Sequence, residues 1–196
     1  FNTGIGRHAL ESNTSGTKNT GVGNIALYSN TTGSFNTALG YDALGDNTTG
    51  ARNVAVGSQS LYVNQTGFQN VAVGHEALNQ ATHSNNTGVG YYALKTTTSG
   101  EDNTAVGSHA MQFNTQGGQN VAVGAGALKS NTTANQNTAV GFEALKDNTT
   151  GTYNTALGYH TLENNVDGAK NTGLGRAALF NNTCLLYTSP SPRDNT

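Results

Sequence analysis

The chain of 196 residues has no Trp, one Cys, one Met, two Pro, and charged side chains at only 10% of its positions. Each scarcity closes a class of protein. A single Cys cannot close an intrachain disulfide or build a Cys-rich zinc site. Nine basic against eleven acidic residues, net charge −2 and no basic run, leave no electrostatic footprint for nucleic acid or an anionic membrane. No stretch approaches the roughly 20 apolar residues of a spanning helix, so direct membrane insertion of this segment is not expected. At 34% apolar the chain is lean for a globular core, and its few charges are unlike those of a charge-expanded disordered chain. Asn, Thr and 26 Gly fill the gap.

They do so periodically. The segment Asn-Thr/Val-Ala/Gly-aliphatic-Gly begins at Asn2, Asn19, Asn36, Asn53, Asn70, Asn86, Asn103, Asn120, Asn137, Asn154 and Asn171. The spacing is 17 residues throughout, except for 16 between Asn70 and Asn86. One unit reads N-T-A-V-G-x-x-A-L-x-x-N-T-T-G-x-x. Its opening Asn never varies, nor does its Gly, at Gly6, Gly23, Gly40, Gly57, Gly74, Gly90, Gly107, Gly124, Gly141, Gly158 and Gly175. The Leu yields once, to Met111. Fixed-period self-similarity on this scale signals a stacked repeat architecture.

Each place in the unit has a physical role. Asn-Thr-Ala-Val, rich in β-branched residues and stopped by Gly, predicts a short strand ending at a corner. A second short strand is expected around Ala-Leu, and Asn-Thr-Thr-Gly then matches a four-residue turn. Gly and β-branched residues recur too often for a helix of ordinary length. The sequence therefore predicts an all-β fold over residues 1–183, a parallel β-solenoid of about eleven 17-residue coils with two short strands per coil. A single unit, with one aliphatic such as Val22 and one leucine such as Leu27, buries too little to order its own backbone, so the coils must stack. The shortened unit loses its residue within Ala81–Asn85, which places the Asn-Thr-Thr-Gly side on an exposed rim.

Strand alternation sets the aliphatic and the Thr/Val on one face, with Ala or Gly and Asn on the other. The aliphatic and leucine columns are expected to form the core. Ala or Gly in every copy of the third place, as in Ala38, Ala55 and Gly88, requires a close neighbour: the opposite wall of the coil or another chain. The recurrent Asn is expected to stack as a ladder of amides along the axis, a fold device rather than a ligand site.

The unit N-T-A-V-G-x-x-A-L resembles the head repeat of trimeric autotransporter adhesins of the YadA type, over residues 2–183. Similar repeats occur in some phage and viral fibre proteins. The resemblance implies a left-handed parallel β-roll that trimerises, sits on the outer surface of Gram-negative bacteria and binds host or matrix surfaces. The present unit is longer than the usual 14 residues of that family because of its Asn-Thr-Thr-Gly turn, and no neck, stalk or anchor of the family's kind is expected within residues 1–196.

From Cys184 the repeat stops, and Cys-Leu-Leu-Tyr-Thr-Ser-Pro-Ser-Pro-Arg-Asp follows. Residues 184–196 resemble the read-through translation of a sequencing-library adapter and are expected to be non-native. The only Cys and both Pro, Cys184, Pro190 and Pro192, fall there. Phe1 stands in the last place of a preceding unit, so the array is expected to continue beyond both ends, as a metagenomic fragment would.

Chemistry-bearing patterns are weak. His8, His75, His83, His109 and His160 have no H-x-x-x-H or H-E-x-x-H spacing, and Asp42, Glu76 and Glu143 lie coils apart. Gly21-Val22-Gly23 lacks the helix and lysine of a phosphate loop. No catalytic, cofactor-binding or metal-ligating residue is assigned, no cofactor is expected, and an enzyme is not expected. Asn13, Asn30, Asn47, Asn64, Asn85, Asn131, Asn148 and Asn181 each open an Asn-x-Ser/Thr glycosylation sequon, or are simply turn residues. Two functions are expected from different classes. One is an extracellular cell-surface adhesin or virion fibre segment, which meets host, matrix or other surfaces and itself as partners. The other is an ice- or crystal-binding array presenting Thr31, Thr48, Thr132 and Thr149.

Overall fold

The computed structural model describes residues 1–182, and the expected non-native tail at 184–196 lies outside them. Eleven parallel strands form one sheet in strictly sequential order, from β1 (Thr3–Ile5) and β2 (Thr20–Val22) to β11 (Thr172–Leu174). Each strand pairs with its copy one unit on, as in Thr20↔Thr37, Gly21↔Ala38 and Val22↔Leu39. The array is thus an all-β solenoid without helix among the described residues, and no helix is long and apolar enough to cross a membrane. At about 4.8 Å per coil, ten steps make a rod about 50 Å long.

Every strand is three residues long because the corner glycine ends it. The glycines of this column have φ between 110° and 141°, a region closed to other residues. They also stack backbone to backbone: a Cβ on Gly23 would lie 2.3 Å from the Gly40 carbonyl oxygen. Both constraints recur from Gly6 to Gly158, and the positive φ also at Gly175, which is why this place is invariant.

The second expected strand is not there. The Ala-Leu segment is a chain of tight turns, and its leucines have positive φ, from 50° at Leu61 to 58° at Leu10. A strand would send neighbouring side chains to opposite faces, whereas Ala26 and Leu27 are both completely buried. Alternating right- and left-handed turn conformations allow that. The strain of a left-handed leucine, of order 1–3 kcal/mol, is offset by burial of the side chain and by hydrogen bonds along the axis. Leu27 N–H donates to Ala43 O at 3.0 Å, and Asn30 N–H closes the turn on Leu27 O at 3.2 Å.

The aliphatic column is also not in the core. Within each strand the middle residue points inward, so Ala38, Ala55 and Ala72 are buried, while Leu39 and Leu157 are each 47% exposed. The interior is filled instead by strand alanines or glycines, the Ala-Leu wall and asparagines. The close neighbour required by the small third residue is the opposite wall of the array: a Cβ on Gly21 would lie 3.3 Å from Ala26 O and 3.4 Å from Leu10 Cγ. A larger inward side chain has no room, and the outward ones have no wall to meet.

Two columns of buried asparagine lie beside this core. In the first, each opening Asn from Asn2 to Asn154 bridges backbone to backbone. Asn19 Oδ1 accepts from the N–H of Asn36 at 2.9 Å, and Asn19 Nδ2 donates to Gly33 O at 2.8 Å. The chain of bonds from opening Asn to backbone N–H runs unbroken from Asn2 to Asn171. The expected amide-to-amide ladder belongs chiefly to the second column, the Asn of the Asn-Thr-Thr-Gly turn. Asn30 Nδ2 reaches Asn13 Oδ1 at 2.7 Å, and Asn47 Nδ2 reaches Asn30 Oδ1 at 2.7 Å.

The shortened coil keeps this frame. Val71 still pairs with Thr87, and Asn70 Nδ2 finds His83 O at 2.7 Å where other coils offer the turn glycine or Ala134. Ala81 takes the place of the second-column Asn and Ser84 that of Ser34, so the missing residue is the outermost of the turn, next to the Thr. The rim is therefore exposed at its tip and buried at its Asn.

Candidate functional site

The variable places of the unit gather on one corner. The two residues after the corner glycine and the residue after the leucine form a ridge, and the repeat sets residues i and i+17 side by side. Ion pairs and ring stacks follow from that spacing. Glu76 accepts from Lys95 Nζ at 2.6 Å, and Lys95 also lies 4.1 Å from the centre of the Tyr92 ring. Tyr91 stacks on Tyr92 at 3.9 Å and on His75 at 5.6 Å. The hydrogen bond to Glu76 holds the Lys95 ammonium above its usual pKa.

A second group joins Glu143, Lys146, His160 and Glu163. Lys146 Nζ lies 3.2 Å from Glu143 Oε2 and 3.4 Å from Glu163 Oε1, while His160 Nδ1 contacts Glu163 Oε2. Ligand-type atoms of Glu143, His160 and Glu163 all fall within 4.8 Å of one another. The ammonium already sits against both carboxylates, and Glu143 before Glu163 raises its pKa. Phe142 and Tyr159 stack at 5.4 Å beside them. His8 and Glu11 repeat the His–Glu contact in the first coil.

Between these groups the ridge dips. Ala125 and Gly126 carry little or no side chain, and they leave a notch of about 160 Å³ lined also by Ser108, His109, Lys129, Phe142 and Glu143. Burial, and then the Lys129 charge, lower the pKa of His109. On the turn side, Gly118 opens a wider depression of about 230 Å³ lined by Ser99, Glu101, Asp102, Gln116, Gln119 and Asn135.

No family model, curated protein or solved structure matches this chain.

The residues singled out from sequence fare unequally. All opening asparagines from Asn19 onward are buried, and Asn2 is exposed in the first coil. The sequons divide. Asn30, Asn47, Asn64, Asn131 and Asn148 are completely buried with amides bonded in the second column, so a glycan on any of them is incompatible with the folded coil. Asn85 and Asn181 are exposed, and Asn13 is half-buried with its amide on Gly16 O at 3.0 Å. The hydroxyls of Thr31, Thr48, Thr132 and Thr149 donate to carbonyls of the next coil, at 3.0 to 3.1 Å. Glu143, His160 and Glu163 form no motif along the chain, because they meet only across the seam between two coils. The available signal was the period itself, which makes Glu143 and His160 neighbours.

Proposed function

We propose that this array is a rigid, adhesive segment of a cell-surface adhesin or fibre, binding host, matrix or other surfaces through many repeated contacts. The observation that carries this reading is the division of labour around each coil. Invariant residues face inward and build a rod, while the variable residues gather on an exposed ridge of rings and charges. A rod sets reach, and side chains repeated along it convert weak contacts into avidity. An extracellular or virion-surface setting and the YadA-like resemblance belong to the same proposal.

The outward strand face fits a second copy of the chain. Leu39, Val73, Val106, Val123, Leu157 and Leu174 form an exposed apolar strip along the sheet. Its spacing is that of any other copy, so two or three rods can lie side by side in register. Sedimentation of the purified array is expected to show a dimer or trimer, and Val106→Lys with Val123→Lys a monomer. A monomeric parent would overturn self-association. Adhesion is tested by retention of the array on immobilised matrix and on cells. Equal retention of a solenoid with an all-Ser ridge would overturn the ridge as binding surface.

One observation favours a second reading. The same flat face carries Thr20, Thr37, Thr104, Thr138 and Thr155 in line, as a lattice-binding surface requires. Val54, Val71 and Val121 interrupt that line, and the turn-side Thr donors are already used. Thermal hysteresis of the purified array distinguishes the readings, and clear activity would favour ice over receptor.

A further inference from the structure

The ridge breaks its own rule at one point. In the place of Gly126 every other coil carries a side chain, such as Gln59, His109 or Glu143. The preceding column is also small here, with Ser108 and Ala125 between the rings of Tyr91 and Phe142. Three neighbouring departures from the bulky pattern thus make one notch, and its lining is chemically mixed. Phe142 is stacked on one face by Tyr159 at 5.4 Å and 15°, which leaves its other face to the notch side. Lys129 has no ion-pair partner among the described residues, whereas Glu143 holds Lys146. Ser108 Oγ and His109 Nδ1 lie 2.8 Å apart, a polar pair on the far side.

These groups specify a ligand. An apolar ring face stacks on an aromatic ring, a single negative charge meets the free ammonium, and hydroxyls donate to the carboxylate or bond the serine. Inorganic phosphate fits poorly, because it gives Phe142 nothing and its second charge meets Glu143. The volume suits one six-membered ring rather than a drug-sized molecule. We propose that the notch at Gly126 binds one carboxylate-bearing pyranose of a glycan, a uronic or sialic acid residue. Its carboxylate lies toward Lys129 and Ser108, its ring on Phe142, and a hydroxyl donates to Glu143. This inference rests on the surface-binding reading and names a receptor chemistry for it.

The test is a titration of the full chain, followed by amide resonances, with glucuronic acid, N-acetylneuraminic acid, glucose and inorganic phosphate as separate probes. The acid that fits is expected to saturate the shifts of Ser108, Gly126 and Glu143 with Kd of about 1 mM, with glucose about tenfold weaker and phosphate without effect. The two acids identify which sugar class is bound. Gly126→Gln puts into the notch the residue that Gln59 places at the equivalent position of its own coil, also at positive φ (53° against 69°), and is expected to abolish the shifts. Lys129→Met is expected to bind the acid no better than glucose. Circular dichroism of both variants confirms that the coil is intact. The proposal is overturned if neither acid saturates, if phosphate produces the same shifts, or if Gly126→Gln binds like the parent. Retention on cells separates the two claims. Loss of acid binding with retention intact removes this inference alone, whereas absence of retention in the parent removes the reading beneath it.

Discussion

Two columns of asparagine run the length of the rod, a few residues apart in every coil, and only one of them tolerates exceptions. The opening Asn is present in all eleven copies, whereas the turn Asn is replaced by Ala81 and by Thr97. Both are buried, and both donate to the same turn carbonyl. Gly33 O receives Asn19 Nδ2 at 2.8 Å and Asn30 Nδ2 at 3.1 Å. What differs is the acceptor oxygen. The opening Asn satisfies a backbone N–H of the next coil, a group every residue type but proline carries. The turn Asn satisfies another turn Asn, which disappears when that residue is replaced. A gap in the second column therefore orphans one side-chain atom: Asn64 Oδ1, facing Ala81, has no partner, and neither has Thr97 Oγ1. A gap in the first would orphan a buried main-chain donor. Invariance follows the cost of the orphan.

That comparison can be broken by mutation. Asn120→Ala would leave the N–H of Asn137 without its acceptor and remove one donor from Ala134 O. We expect a loss of about 3 kcal/mol, read as the shift in the denaturant midpoint. A smaller loss, about 1–2 kcal/mol, is expected for Asn131→Ala, which orphans Asn114 Oδ1, unties one donor from Ala134 O and costs Asn148 Nδ2 one of its two acceptors, its bond to Gly151 O remaining. Equal losses would refute the argument. Ala81→Asn restores a donor to Asn64 Oδ1 and is expected to stabilise the rod by about 1 kcal/mol, visible as a raised Tm. Acid provides the smallest effect, because neither column titrates. His109 has a folded pKa below its ordinary value, so the unfolded chain binds the proton first. Stability should be unaffected by this group above about pH 6.5 and fall slightly as pH drops from there through the folded pKa. His109→Gln should remove that slope. Asp42, raised by burial and then by Asp46, acts in the opposite sense at lower pH. Its contribution is complete below the unfolded carboxylate pKa and fades as pH rises through the folded one.

The repeat length, parallel stacking and corner glycines were legible in sequence, because each rests on strict recurrence at one place; the opening Asn was legible as a fold device, but not its bonding to the backbone. The second strand was not. Leu27 and its copies take a left-handed backbone that residue preference never predicts for leucine, and only neighbours in the stack make it tolerable. Consecutive buried Ala26 and Leu27 rule the strand out, since a strand with one face in solvent would expose one of the two. The aliphatic column was misplaced for a related reason: Val22 looks like core until the inward place of the strand, facing the Ala-Leu wall, proves to have room only for Ala or Gly. The ridge was illegible as long as distance was counted along the chain. His160 is far from Glu143 in sequence and adjacent across one coil.

The backbone bonds between coils all lie along the rod, from Thr20 N–H to Asn36 O and from Leu27 N–H to Ala43 O alike. A pull on the two ends therefore strains the seams one at a time instead of shearing the sheet as a whole. Each seam that opens frees a loop of up to about 55 Å in place of about 5 Å of rod. Under tension the array would lengthen in tenfold steps from whichever end yields first. A rod that is short and stiff at rest thus holds a reserve of slack in its own coils.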